Sequence, residues 1–190
     1  MNEPELIKGL KEGSEEAFEI LVRTYKDKIY NTSLGLTHNQ YDAEEITQEV
    51  FIRAFEKIRS FKMESALGTW LYRIAVTQSL DLIRKKNRKK RGGALVSFFA
   101  KQEDPWQQPD FHHPGVVAEQ KENAALLFKA NQLLPEQQRA AFVLQKIEGL
   151  NQSQIADVLK TSVSAVESLL TRAKANLKRT LEDYYQKHYK

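Results

Sequence analysis

The sequence predicts an all-α chain of two small helical domains joined by a flexible linker. Apolar residues recur at i, i+3, i+4 spacing through most of the 190 residues, and strand-like alternation persists nowhere. Helix breakers are sparse before residue 92 and then cluster, with Gly92, Gly93, Pro105, Pro109, Pro114 and Gly115 in one segment. Charge is segregated along the chain. Residues 1–60 hold 8 basic and 12 acidic side chains, residues 61–101 hold 10 and 2, residues 102–123 hold 1 and 5, and residues 124–190 hold 10 and 6. The net charge of +4 therefore conceals an acidic block fused to a basic one.

The first domain is expected over residues 1–91. Ser14 opens a helix whose apolar positions Phe18, Leu21, Val22, Tyr25 and Ile29 share one stripe. A second helix begins near Tyr41 and Asp42, with Ile46, Val50, Ala54 and Ile58 facing inward. A third starts near Thr69, buries Leu71, Ile74, Ala75, Leu82 and Ile83, and ends in the basic tail Arg84–Arg91. Residues 92–122 form the linker.

The second domain, residues 123–190, carries the sharpest local signal. Pro135 suits the first position of a helix that holds Ala141, Phe142, Leu144 and Ile147 and stops at Gly149. Asn151 with Gln154 makes a capping box for a short helix, and Lys160-Thr161 make a turn. The last helix starts at Ser162 or at Ser164, the latter with Glu167 as its own capping box. Val163, Val166, Leu170, Ala173 and Leu177 define its buried stripe; Ser164, Ser168, Thr171, Arg172, Ala175 and Arg179 lie opposite. Short helix, tight turn and longer helix with small polar residues at its outer start describe a helix-turn-helix. Small residues let a helix N-terminus approach base edges, and Arg or Lys further along reach phosphates.

Other classes fall away. No apolar stretch approaches the ~20 residues of a membrane helix, so no membrane insertion is expected. Glu3, Glu5, Glu12, Glu15, Glu16 and Glu19 are unlike a signal peptide, and with zero cysteines the chain reads as a cytoplasmic protein. There is no phosphate-cradling glycine loop, no G-x-S-x-G and no H-E-x-x-H, so no enzyme, catalytic residue or cofactor is expected. No metal site is expected either, since His112, His113 and Asp110 sit in the linker without fixed coordination geometry.

Several motifs occur in series: Asp42-Ala-Glu-Glu-Ile-Thr-Gln-Glu-Val-Phe-Ile-Arg-Ala-Phe55, Thr69-Trp-Leu-Tyr-Arg-Ile-Ala75, Asp81-Leu-Ile-Arg84, Leu134-Pro-Glu-Gln-Gln-Arg139, Glu148-Gly-Leu150, Gln154-Ile-Ala156 and Ser162-Val-Ser-Ala-Val166. In that order and spacing the chain resembles the extracytoplasmic-function (ECF) branch of bacterial RNA polymerase sigma factors. The resemblance implies a sigma domain 2 and a sigma domain 4, a partnership with core polymerase through its β′ clamp helices and β flap, and promoter DNA as the other partner. It places polymerase docking on Asp42, Glu44, Glu45, Gln48 and Glu49. It places recognition and melting of the minus-ten element on Phe61, Lys62, Met63, Glu64, Ser65, Trp70, Tyr72, Arg73, Thr77, Arg84, Lys85 and Arg88. Minus-thirty-five duplex recognition falls on Ser162, Ser164, Ala165, Glu167, Ser168, Thr171, Arg172 and Lys174. An anti-sigma factor is a further partner the resemblance suggests.

The chain departs from the family pattern at Leu67, Thr77, Glu167 and Leu169, where Phe, Asn, a basic residue and Arg are common. Residues 102–119, acidic and carrying Trp106 and Phe111, are expected to occupy a basic channel of the polymerase as a nucleic-acid mimic. The rival readings are a stand-alone helix-turn-helix regulator of duplex DNA and a partner-sequestering adaptor. Neither needs an acidic docking face coupled to the aromatic and basic segment 61–91.

Overall fold

The computed structural model describes residues 1–92 and 118–188, with side chains described for residues 1–89 and 125–186. The first four helices are α1 (Glu3–Glu12), α2 (Glu15–Thr37), α3 (Gln40–Lys57) and α4 (Leu67–Gly92). The remaining four are α5 (Ala118–Gln132), α6 (Glu136–Lys146), α7 (Gln152–Leu159) and α8 (Val163–His188). A single 3₁₀ turn, Ile58–Ser60, follows α3, and no strand occurs among the described residues.

Local sequence explains most helix ends. Asn2 caps α1 in a capping box with Glu5, Ser14 accepts from Ala17 N at the start of α2, and Asn39 accepts from Asp42 N at the start of α3. The expected Asn151–Gln154 box is present at α7. Several boundaries differ from expectation. Pro135 is the N-cap of α6 rather than its first residue, and α5 begins at Ala118, inside the stretch assigned to the linker. The rest of that stretch, residues 93–117, lies outside the described residues, as do His112, His113, Trp106 and Phe111.

In the first domain α2 packs against α3 and α4, and α1 closes one end. Leu21, Ile29, Leu36, Val50, Leu71 and Ala75 are essentially inaccessible there. In the second domain α8 packs on α5, α6 and α7, burying Val166, Leu170, Ala173 and Leu177. Val163 departs from the expected stripe: it is 43% exposed, because the first helical residue has no preceding turn to pack beneath.

The two domains are joined by packing as well as by the chain. One continuous core cluster includes Leu21 and Leu71 of the first domain and Val143, Leu144 and Ile155 of the second. The contacts run between α4 and α7 and between α2 and α6. Gly35 makes the second approach feasible, since a Cβ there would stand 3.0 Å from Ile147 Cδ1 and 3.1 Å from both Val143 γ-methyls.

Candidate nucleic-acid and polymerase interfaces

The acidic face of α3 is a consequence of its helical register. Ala43, Ile46, Thr47 and Val50 turn inward, which leaves Glu44, Glu45 and Gln48 exposed. The other two docking candidates are engaged within the fold. Asp42 receives Lys86 Nζ at 2.7 Å, and Glu49 receives Arg53 Nε at 2.7 Å across one helical turn. Beside the free carboxylates runs a groove of about 290 Å³ between α3 and α4, lined by Glu45, Gln48, Ile52 and Leu82 among others. Ile52 is 53% and Phe55 59% exposed on the same helix.

The segment between the 3₁₀ turn and α4 divides into anchored ends and a free middle. Phe61 is buried and stacks on the half-buried Trp70, ring centroids 4.9 Å apart, so it packs in the core here. Lys62, Met63 and Glu64 are exposed, Ser65 is half-buried, and Met63 takes a left-handed φ of 58°. Helix α4 then starts at Leu67, two residues earlier than the Thr69 expected from periodicity.

Along α4 the assigned residues meet different fates. Tyr72 is buried, and its hydroxyl donates to Glu148 Oε2 at 2.7 Å, so it is no open platform for a base. The Thr32 hydroxyl lies 2.9 Å from the other oxygen of the same carboxylate. Burial drives the Tyr72 hydroxyl far above its ordinary range, with the Glu148 charge adding to the effect. Burial also raises Glu148, while hydrogen bonds from Tyr72 and Thr32 and the charge of Lys28 oppose the rise. Arg73 donates through Nη2 and Nε to the Asp157 carbonyl at 2.9 and 3.2 Å. Thr77 is exposed but spends its hydroxyl on the Arg73 carbonyl at 2.7 Å. Arg84 pairs with Glu136 at 3.0 Å, and with Lys85 and Arg88 it borders an open cleft of about 820 Å³.

The third surface is the outer face of α8. Lys160 adopts φ 52°, the left-handed turn that separates α7 from α8. Ser162 is the cap: its Oγ accepts from Ala165 N at 3.2 Å and lies 3.1 Å from Ser164 Oγ. A Ser164–Glu167 capping box does not form, because Ser162 already meets the free N–H at the helix start. Ser164, Glu167, Ser168, Thr171, Arg172 and Lys174 are all exposed and Ala165 is half-buried, so the expected duplex-reading face is open. Arg172 folds back on the Ser168 carbonyl at 3.1 Å.

Comparison with known proteins decides between the readings. The Sigma-70 region 2 family model matches residues 21–89, and the Sigma-70, region 4 model matches residues 126–177. The chain is 34% identical over 181 residues to the ECF RNA polymerase sigma factor SigW of Bacillus subtilis, covering 93% of this chain and 95% of that one. The RNA polymerase sigma-H factor of Pseudomonas aeruginosa is 29% identical over 182 residues, 94% of this chain and 93% of that one. The chain belongs to the ECF RNA polymerase sigma factors.

The fold agrees with solved structures. CnrH in complex with the cytosolic domain of CnrY superposes with a TM-score of 0.70 at 22% identity, covering 95% of this chain and 97% of that one. The sigma factor RpoE bound to the anti-sigma factor NepR from Bartonella quintana gives 0.67 at 22% identity, covering 87% and 96%. As a sigma factor, this chain binds core RNA polymerase and directs promoter recognition, DNA opening and transcription initiation. The stand-alone regulator and the adaptor are thereby set aside. Among the described residues no cluster of His, Asp or Glu could hold a metal ion, and no helix is long and apolar enough to cross a membrane.

The structure of this sigma factor also shows residues that sequence reasoning missed. Glu148, Asp157 and Glu136 hold the second domain against helix α4. In sequence Glu148 stands out only as part of the Glu148-Gly-Leu150 motif. Its signal, a carboxylate just before Gly149 at a helix end, is indistinguishable in sequence from a solvated one.

Proposed function

We propose that the sigma factor divides its work among three surfaces and rests in a closed form. The exposed polar face of α3, with the Glu45 carboxylate and the Gln48 amide at its centre, docks the β′ clamp helices. Residues 62–65 and the basic edge of α4, with Arg84, Lys85 and Arg88, hold the opened minus-ten strand, where cations follow phosphates and a pocket receives a base. The outer face of α8, from Ser162 to Lys174, reads the minus-thirty-five duplex and places the second domain near the β flap.

The observation that carries the docking assignment is the pairing of the exposed Glu45 and Gln48 with exposed Ile52 around one groove, with Phe55 exposed further along the same helix. An acidic patch that served only solubility has no need of adjacent exposed apolar surface; one that meets a basic, partly apolar helix pair needs both. Glu45→Lys with Gln48→Ala reverses charge at exposed residues, so stability should change by no more than ~0.5 kcal/mol. Co-migration with purified core polymerase should be lost. Wild-type co-migration by that variant removes the assignment.

In the closed form Tyr72 and Arg73 are committed to the second domain, so α7 must leave α4 before either side chain meets DNA. Engagement of polymerase and both promoter elements supplies the free energy to separate the domains. By extension from the RpoE–NepR complex, an anti-sigma protein is a further partner of this chain. The site of action is the cytoplasm, where core polymerase and promoter DNA reside.

A further inference from the structure

Helix α1 is the least explained element of the chain. It precedes residue 21, where the region 2 match begins, and none of the roles above falls on it. Yet it is firmly built. Leu6, Ile7 and Leu10 are buried, and α1 lies so close to α2 that a Cβ on Gly9 would come within 2.9 Å of Ala17 Cβ.

Two of its charged side chains reach the segment that links the 3₁₀ turn to α4. Lys11 Nζ donates to the Phe61 carbonyl at 2.8 Å, and Glu3 Oε1 accepts from Leu67 N at 3.2 Å. These contacts close on the two ends of one loop. Leu67 is the first residue of α4, a helix that has Ala66 where a capping side chain would stand, so Glu3 supplies from 64 residues away the acceptor that local sequence lacks. Between the two anchors lie the exposed residues Lys62, Met63 and Glu64 and the half-buried Ser65. Met63 sits at φ 58°, a conformation that a non-glycine residue keeps only where its surroundings over-determine it. The loop's own residues make none of the described hydrogen bonds that would do so; its rigid ends do. The Tyr25 ring adds a third constraint, resting where a Cβ on Gly68 would meet it at 3.0 Å, and burial, with the Glu3 charge adding to it, raises the pKa of the Tyr25 hydroxyl.

We infer that Glu3 and Lys11 are positioning residues for minus-ten recognition, a two-point strap from α1 that fixes residues 62–65 in the shape that receives the opened base. This rests on the assignment of that loop to the minus-ten element. Loop residues that must capture a flipped base gain affinity and selectivity from being held in place beforehand, because less order is lost on binding.

The test uses the full chain with purified core polymerase. Run-off yield is compared between a functional promoter and the same promoter with its minus-ten element replaced. The strapless variant is Glu3→Ala with Lys11→Met, which keeps the lysine stem but removes the acceptor and the donor. Its yield ratio should fall about tenfold, the scale expected for losing charged hydrogen bonds. Core co-migration, minus-thirty-five duplex binding and thermal midpoint should stay near wild type. Glu3→Gln with Lys11→Arg retains an acceptor and a donor and should restore the ratio. A wild-type ratio in the strapless variant overturns the strap, as does a fall that tracks lost core binding or that the conservative pair fails to rescue. Met63→Ala with Glu64→Ala separates the two levels. If that loop variant keeps the wild-type ratio, the loop assignment itself fails and the strap with it; if the loop variant loses the ratio and the strapless one does not, only the strap fails.

Discussion

Glu148 takes the Tyr72 hydroxyl at 2.7 Å and lies 2.9 Å from that of Thr32, so one carboxylate of the second domain touches two helices of the first. Tyr72→Phe removes only the hydroxyl and leaves a half-buried carboxylate short of a donor. It should lower unfolding stability by about 1–2 kcal/mol, read from urea titration at neutral pH, while the far-ultraviolet spectrum stays unchanged. A second titratable group lies at the same junction. The His38 ring nitrogens lie 3.1 Å from the Phe128 carbonyl and 3.3 Å from that of Leu36; burial and the nearby Arg139 charge lower its pKa to about 4. Between the unfolded value of about 6.5 and the folded value the unfolded chain holds more protons, so stability falls on acidification through that window. The loss should reach about 2 kcal/mol by pH ~5, and the slope of stability against pH in that range should flatten in His38→Gln. An unaltered slope would show that another group titrates there. Neither Glu148 nor His38 announces itself in sequence, because a carboxylate beside a glycine and a histidine at a helix end look solvated until a distant helix covers them.

Helices α7 and α8 were legible because their signals are local. The Asn151–Gln154 box closes over three residues, and the stripe Val166, Leu170, Ala173 and Leu177 repeats at steps of three and four within one helix, whatever distant helices it packs on. Sequence reading failed where two local signals competed or where the partner was remote. Ser162 and Ser164 both offered a cap to α8, and only the geometry of the turn selects Ser162. The start of α4 was placed late because its acceptor is Glu3, far away in the chain. Motif position does not reveal that Phe61 and Tyr72 are buried in the closed form, Phe61 stacked on Trp70 and Tyr72 bonded to Glu148. On α8 itself Arg172 is exposed and held only by the carbonyl of Ser168, one turn back, so it is free to reach a phosphate. Arg172→Ala should weaken duplex binding evenly across sequences and reduce the salt slope by about one charge. A loss confined to certain sequences would make Arg172 a base reader.

Over the whole molecule the proposed docking and reading surfaces differ in whether the closed form leaves them open. The acidic-apolar groove of α3 and the outer face of α8 are open in the closed form, whereas the middle of α4 is covered by α7. On the proposed assignments polymerase and minus-thirty-five DNA bind first, and the domains separate as the minus-ten strand is engaged. The all-α, two-domain plan was readable from periodicity and from the cluster of breakers after residue 92. That the domains share a core was not, since the Val143, Leu144 and Ile155 stripe resembles any intradomain face. The most direct test of the account is run-off transcription by purified core polymerase on a library of promoter-like duplexes, with and without this protein. The account predicts new start sites that share two elements at a fixed spacing, both required. Initiation that depends on one element alone, or retained duplex binding with no initiation, would contradict it.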